Sequence, residues 1–192
     1  MIKKCLLLSL LVLSACSSVA QPVVASWPAF SCTSNDVVLT FVDLQLCTKA
    51  DAYSKVQVLA GTTPSIAFEQ NDSRFDVLSY ETADHALAGL PTRMESASAG
   101  QALATLFSWH GKAQLTAQQQ TLLQVFAINP NTKLSVFKKG DFTAYLRLNA
   151  EVADNTIFIT AANSEKVYRL IGNFGETEAR QWLSQLAPVV KP

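Results

Sequence analysis

A helical stretch with strand-like sequence on both sides is the feature that most restricts what this chain can fold into. From Ser98 onward, Ala99, Ala102, Leu103, Leu106 and Phe107 recur at the spacing of one helix face. Gly111 follows where a left-handed cap belongs. Thr116 with Gln119 three residues later resembles a capping box, and Leu115, Leu122, Leu123 and Phe126 supply a second apolar stripe. Asn129-Pro130-Asn131 ends it, because proline lacks the N–H that would continue the ladder. Two helices joined this closely predict a hairpin that covers one face of a sheet.

The flanks supply that sheet. Val37 to Val42 is rich in β-branched and aromatic residues, as a buried strand would be. Lys55 to Leu59, Ser65 to Glu69 and Phe75 to Tyr80 follow as strands, separated by turns at Gly61 to Pro64 and Asn71-Asp72-Ser73. After the hairpin, Lys133 to Lys138 leads into a turn at Lys139-Gly140. Phe142, Ala144, Leu146 and Leu148 then alternate with Thr143, Tyr145 and Arg147, the pattern of a half-buried strand. Thr156 to Ala161 and Lys166 to Ile171 flank a turn at Asn163-Ser164. Asn173 with Glu176 opens a last helix whose stripe is Ala179, Trp182, Leu183 and Leu186. Segregated blocks of strands and helices predict an α+β fold, with antiparallel sheet packed against a helical hairpin and a C-terminal helix.

The N-terminus has a different character. Lys3 and Lys4 precede an apolar run from Cys5 to Leu13 broken only by Ser9, and small residues follow at Ser14 and Ala15. That run is well short of the roughly 20 residues a membrane-spanning helix needs. Its end, Leu13-Ser14-Ala15-Cys16, resembles the lipobox of bacterial lipoprotein precursors, a resemblance confined to the first tenth of the chain. The resemblance implies that residues 1–15 are a signal peptide and that Cys16 becomes the first mature residue. It further implies a diacylglyceryl thioether on that thiol and acylation of the new amino group. Two or more chains anchor a protein stably where one does not. Ser17, in place of an Asp, implies outer-membrane sorting in enteric-type bacteria. The alternative is an ordinary signal cut elsewhere, for instance after Ala20, with Cys16 discarded.

With Cys5 in the signal and Cys16 lipidated, Cys32 and Cys47 remain. An even remainder in an oxidising compartment predicts one disulfide, worth about 3 kcal/mol in the chain-entropy model for a loop of about 15 residues. A metal site is the other possibility, but there is no Cys-x-x-Cys pair, and two histidines are all that could complete a ligand set. Residues 16–31, with Pro22, Pro28 and no charge, read as a lipidated N-terminus and spacer. A single α+β domain then occupies 32–192, with possible halves at 32–92 and 93–192. Removing Lys3 and Lys4 from 15 basic and 15 acidic residues leaves 13 against 15, a net charge of −2 that favours no nucleic-acid partner. From Asp36 to Asp84 there are eight acidic and three basic residues, and from Arg93 onward seven acidic and ten basic.

Catalytic constellations are scarce. The sequence contains no Gly-rich phosphate loop, Gly-x-Ser-x-Gly elbow or His-Glu-x-x-His helix. His85 lies in the polar stretch Glu81 to His85 with Ser79 nearby, so a hydrolase would have to be built on it, while a solvated loop histidine is the simpler reading. His110, at the end of the first helix, reads as a capping side chain. Asp72 with Asp76 and Glu176 with Glu178 could be cast as acid–base pairs, yet turn and first-turn roles account for them. Trp182 reads as core, Trp27 and Trp109 as core or interface residues, and Tyr145 with Arg147 as the solvated face of a strand.

These readings predict no catalytic, metal or cofactor-binding residue. They describe an envelope lipoprotein on the outer membrane, facing the periplasm, that binds another envelope protein as an assembly factor, structural factor or inhibitor. A carrier of a small or lipidic ligand, with an apolar pocket between hairpin and sheet, is the runner-up. A periplasmic hydrolase using His85 is third.

Overall fold

Four strands built from the β-rich sequence after residue 132 form the centre of the molecule. In a computed structural model that describes residues 22–70, 74–88, 98–150 and 154–189, they are β7 (Lys133–Lys139), β8 (Phe142–Leu148), β9 (Asn155–Ala161) and β10 (Lys166–Gly172). They run as an antiparallel meander. Its turns use the two residue types that adopt positive φ most readily, Gly140 at 56° and Asn163 at 58°.

The earlier strands β4 (Lys55–Leu59), β5 (Ser65–Glu69) and β6 (Phe75–Thr82) extend this meander, because β6 pairs antiparallel with β10 over six residue pairs. At the other end β1 (Val23–Ser26) adds itself parallel to β7. The result is an eight-stranded sheet in the order β1-β7-β8-β9-β10-β6-β5-β4. Two expectations change here. The suggested halves 32–92 and 93–192 share one continuous sheet, so they do not divide the fold. The spacer ends earlier than residue 31, since Val23–Ser26 is a strand and Trp27 is buried with its indole N–H donating to the Leu183 carbonyl at 2.6 Å.

Both faces of the sheet are covered. On one, Phe68, Leu78, Phe137, Leu146, Ile157 and Tyr168 pack with Ala179, Trp182 and Leu183 of α4 (Glu176–Gln185). A small antiparallel sheet of β2 (Val37–Phe41), β3 (Leu44–Thr48) and β11 (Leu186–Pro188) contributes to the same core. On the other face, Val136, Tyr145, Phe158 and Val167 meet α2 (Ala99–Trp109) and α3 (Ala117–Val125). The hairpin therefore covers a sheet face, and the fold is α+β. β8 is not half-buried as its alternation suggests: Ala144, Tyr145 and Leu146 are all inside. Tyr145 lies beneath α2 and donates its hydroxyl to the Gly100 carbonyl at 3.0 Å, so it does not belong to a solvated face.

Local signals set several boundaries. Thr116 and Gln119 make both bonds of the capping box, at 3.2 and 3.0 Å. The last helix is capped two residues later than the sequence suggests: Gly175 is the N-cap, and its N–H donates to Glu178 at 3.1 Å. Cys32 and Cys47 are joined as a disulfide with Cα atoms 5.6 Å apart, which ties the segment before β2 to β3. Asp36 lies beside the two sulfurs, but sulfurs bonded to each other offer no thiolate for a metal. Cys16 lies outside the described residues.

Candidate functional site

Strand geometry gathers one polar band on the hairpin face. Residues two apart share a face, and paired residues on neighbouring strands lie side by side. Arg147 on β8 is therefore beside Thr156 on β9, and Arg169 on β10 is beside Ser79 on β6, with Glu81 next along that strand. The apolar rows under the hairpin stop here. Where α3 ends at Phe126, the sheet opens into a cleft of about 300 Å³ lined by His85, Phe126, Arg147, Thr156, Phe158 and Arg169 among others.

Each arginine is held by its terminal nitrogens. Arg147 donates from Nη1 to the Phe126 carbonyl at 2.8 Å. From Nη2 it reaches the Asp154 carbonyl at 2.7 Å and Thr156 Oγ1 at 2.8 Å. Arg169 Nη2 pairs with Glu81 Oε1 at 2.8 Å. Glu81 is only 3% exposed, so its charge requires such partners. It also accepts from Ser79 Oγ at 3.1 Å, and its second oxygen meets His85 Nδ1 at 3.1 Å. Burial lowers the pKa of the Arg147 guanidinium; Asp154 opposes this, and the like charge of Arg169 adds to it. The Nε atoms of Arg147 and Arg169 are both buried without a hydrogen-bond partner among the described residues.

The order of this chain of contacts decides what it can do chemically. A nucleophilic serine needs the base against its hydroxyl and the carboxylate behind the base. Here Glu81 stands between Ser79 and His85, so the imidazole touches the carboxylate and not the hydroxyl. His85 itself sits on a single helical turn, α1 (Ala83–Ala86), with its side chain 66% exposed. The arrangement suits binding of charge and not serine-based hydrolysis.

Other sequence candidates are dispersed. His110 is the C-cap residue of α2; it is buried, and its Nε2 faces the Asn129 carbonyl at 3.2 Å, which ties the helix end to the loop before β7. Asp76 is buried on the opposite face of the sheet, and Asp72 lies outside the described residues. Glu176 pairs with Arg180 at 2.9 Å, while Glu178 caps its own helix. Trp27, Trp109 and Trp182 are all buried. An apolar cleft of about 320 Å³ does exist at the hairpin, but Leu115, Leu123, Ile128 and their loops line it at the open end, with no strand residue. A cleft of about 260 Å³ does lie between hairpin and sheet, as a carrier would require, lined by Gly100, Gln101 and Ala104 of α2 with Thr143, Tyr145 and Thr160 of β8 and β9.

A second exposed feature is the free edge of β4. All five of its residues are exposed, Val58 to 76%, and among the described residues it pairs on one side alone, with β5. Val56 and Val58 sit opposite Phe68 and Ile66, both of which belong to the buried core on the α4 side. The row of core residues therefore runs outward and ends in two uncovered valines.

No family model matches this chain, and no curated protein does.

Proposed function

We propose that this chain is a lipid-anchored envelope protein that carries its lipid on Cys16 and binds another protein without performing chemistry on it. The partner contributes an extended segment that adds a strand to β4. The observation that carries this reading is the uncovered β4 edge. An edge strand offers unpaired N–H and C=O groups, and proteins usually blunt such edges with charge, proline or a cover. β4 has one charged residue, Lys55, and two exposed valines that continue the core row. A partner strand with apolar residues at alternate positions would extend that layer and complete the hydrogen-bond ladder.

The placement of the tether fits. Six residues from Cys16 to Pro22 reach at most about 22 Å, which keeps β1 near the bilayer. β4 is the opposite edge, seven inter-strand spacings or about 34 Å away. β1 is itself an exposed edge, but Pro22 and Pro28 bracket it, and proline cannot donate to a ladder. Among the described residues no helix is long and apolar enough to cross a membrane. The reading places the protein on the outer membrane, facing the periplasm.

The test is a photo-crosslinking residue at position 58 in the full-length protein expressed in its own cells. One predominant protein adduct is expected, and Val56→Lys should abolish it while leaving the urea midpoint unchanged. An adduct indifferent to Val56→Lys, or none, would overturn the edge as the binding surface. The lipid is tested separately by the mass of the native N-terminal peptide: an unmodified Cys16 removes the tether.

A further inference from the structure

We propose that the β1–β7 edge of the sheet rests on the headgroup layer of an anionic phospholipid bilayer, held there by Lys133, Lys138 and Lys139. The inference rests on the reading that Cys16 carries lipid, since six residues of chain then keep this edge within about 22 Å of the bilayer. Pro22 leads directly into β1, so the tether brings down this edge and not β4.

Charge picks out the same edge. β7 contributes three lysines, none of which forms an ion pair among the described residues, and neither β1 nor β7 carries an acid. Asp141, in the turn after Lys139, removes one charge. The other acids around this edge face elsewhere. Asp154, beyond the end of β8, acts on Arg147. On α4, Glu176 is paired with Arg180, whose guanidinium lies over Phe137, and Glu178 lines a cleft with Tyr53 and Gln70. Three lysines less Asp141 leave two positive charges in excess. The opposite edge has no such excess, because Lys55 on β4 stands across from Glu69. With 13 basic and 15 acidic residues left once Lys3 and Lys4 are removed, the excess is local to the tethered end.

Geometry presents these charges to a surface. Lys133 and Lys139 share the α4 face with Phe137, and Lys138 shares the hairpin face with Leu134 and Val136. The lysines therefore flank the edge on both sides. Their stems are long enough to pass β1, which stands about 4.8 Å further out. Between them β1 exposes Val23 to 60% and Val24 to 68%, and the Lys139 ammonium lies 5.5 Å from the centre of the half-exposed Phe30 ring. The outward N–H and C=O groups of an edge strand find water among headgroups and none in hydrocarbon. The edge consequently lies on the bilayer without entering it. Basic side chains near an anionic leaflet are attracted over about a Debye length, so the contact is sensitive to salt.

The experiment uses the full-length protein with its native lipid, in vesicles of phosphatidylethanolamine with phosphatidylglycerol and, for comparison, of phosphatidylcholine. A fluorophore is attached to Val24→Cys or, at the far edge, to Val58→Cys, and a headgroup-spin-labelled lipid quenches it. In the anionic vesicles quenching at position 24 is expected to exceed that at 58, and to fall to the same level in about 0.5 M salt. Phosphatidylcholine should show no such excess, and neither should the combined variant Lys133→Gln, Lys138→Gln, Lys139→Gln. Flotation with vesicles in the same salt reads the lipid anchor alone. A chain that floats but quenches equally at 24 and 58, or equally in both kinds of vesicle, would overturn the edge contact and leave the anchor standing. A chain that does not float would remove the anchor and this inference with it. The salt and phosphatidylcholine comparisons decide the matter even if the triple variant does not fold.

Discussion

Strand β6 carries two buried carboxylates, Asp76 and Glu81, and they differ in almost everything but burial. Five positions apart, they point to opposite faces of the sheet. Asp76 sits in the α4 core, where Gln70 Nε2 at 3.0 Å and the Trp182 indole N–H at 3.1 Å donate to the same oxygen. Its other oxygen lies against Gly172 so closely that a Cβ there would approach to 1.8 Å. Glu81 is held by a cation, an imidazole and a hydroxyl at the border of an open cleft. A buried acid therefore does not by itself mark a site. Asp76 accepts from the neutral donors Gln70 and Trp182, lies against the backbone of Gly172 and serves packing. Glu81 is half of a charged pair at the border of an open cleft, where its neighbours are ionic and polar side chains of the hairpin face.

The largest test of this contrast is Gly172→Ala. The new methyl would overlap Asp76, a short side chain pinned by Gln70 and Trp182, so the carboxylate has no room to yield. A loss of about 3 kcal/mol is expected, the upper range for overpacking, read as a lower urea midpoint with an unchanged slope. A neutral outcome would mean that the α4 face is looser than its contacts imply.

How far the sequence revealed this division depends on the residue types involved. The hairpin, its capping box and the four-strand meander were legible because their signals are local: helical spacing, Thr116 with Gln119, Gly140, Asn163. The β2–β3 hairpin was half visible, since its two-residue turn places Val42 at φ 58°, where glycine or asparagine would have announced it. β1 has the composition of a spacer because its pairing with β7 is parallel and joins residues over a hundred positions apart, which leaves no local signal. β8 misled in another way. Tyr145 and Arg147 count as polar in a pattern, yet the tyrosine ring is buried and its hydroxyl satisfied under α2. Of the site, His85 and Arg147 stood out singly. The Glu81–Arg169 pair did not, because nothing local foretells that β6 and β10 are neighbours.

Glu81→Gln is the next test and acts on the other carboxylate. It leaves the Arg169 cation without its counterion, and because that side chain is 32% exposed the cost falls below that of a fully buried pair. About 2 kcal/mol of stability should be lost in urea unfolding. An unchanged urea midpoint would mean that Arg169 does not rely on Glu81 to hold its charge at the cleft border.

The smallest effect compares the faces through their tyrosines. Tyr168, on the α4 face, accepts the Asp43 backbone N–H at 3.1 Å, and burial pushes its pKa up to about 12. Burial also raises Tyr53 on that face and Tyr145 on the hairpin face. A phenol ionises near 10 when unfolded. Its contribution is therefore complete below about pH 10 and is lost as the pH climbs toward the folded value of about 12. Tyr168→Phe should cost about 1 kcal/mol at neutral pH, through the bond to Asp43, and should flatten the alkaline decline in the urea midpoint. Tyr145→Phe removes the donor to Gly100 and should flatten the decline less, since its raised pKa has burial as its one cause and the hairpin that covers it borders the open cleft. An equal flattening by both variants would mean that the two faces resist alkali as one unit, and the contrast drawn from Asp76 and Glu81 would then be confined to those carboxylates and not extend to the layers that hold them.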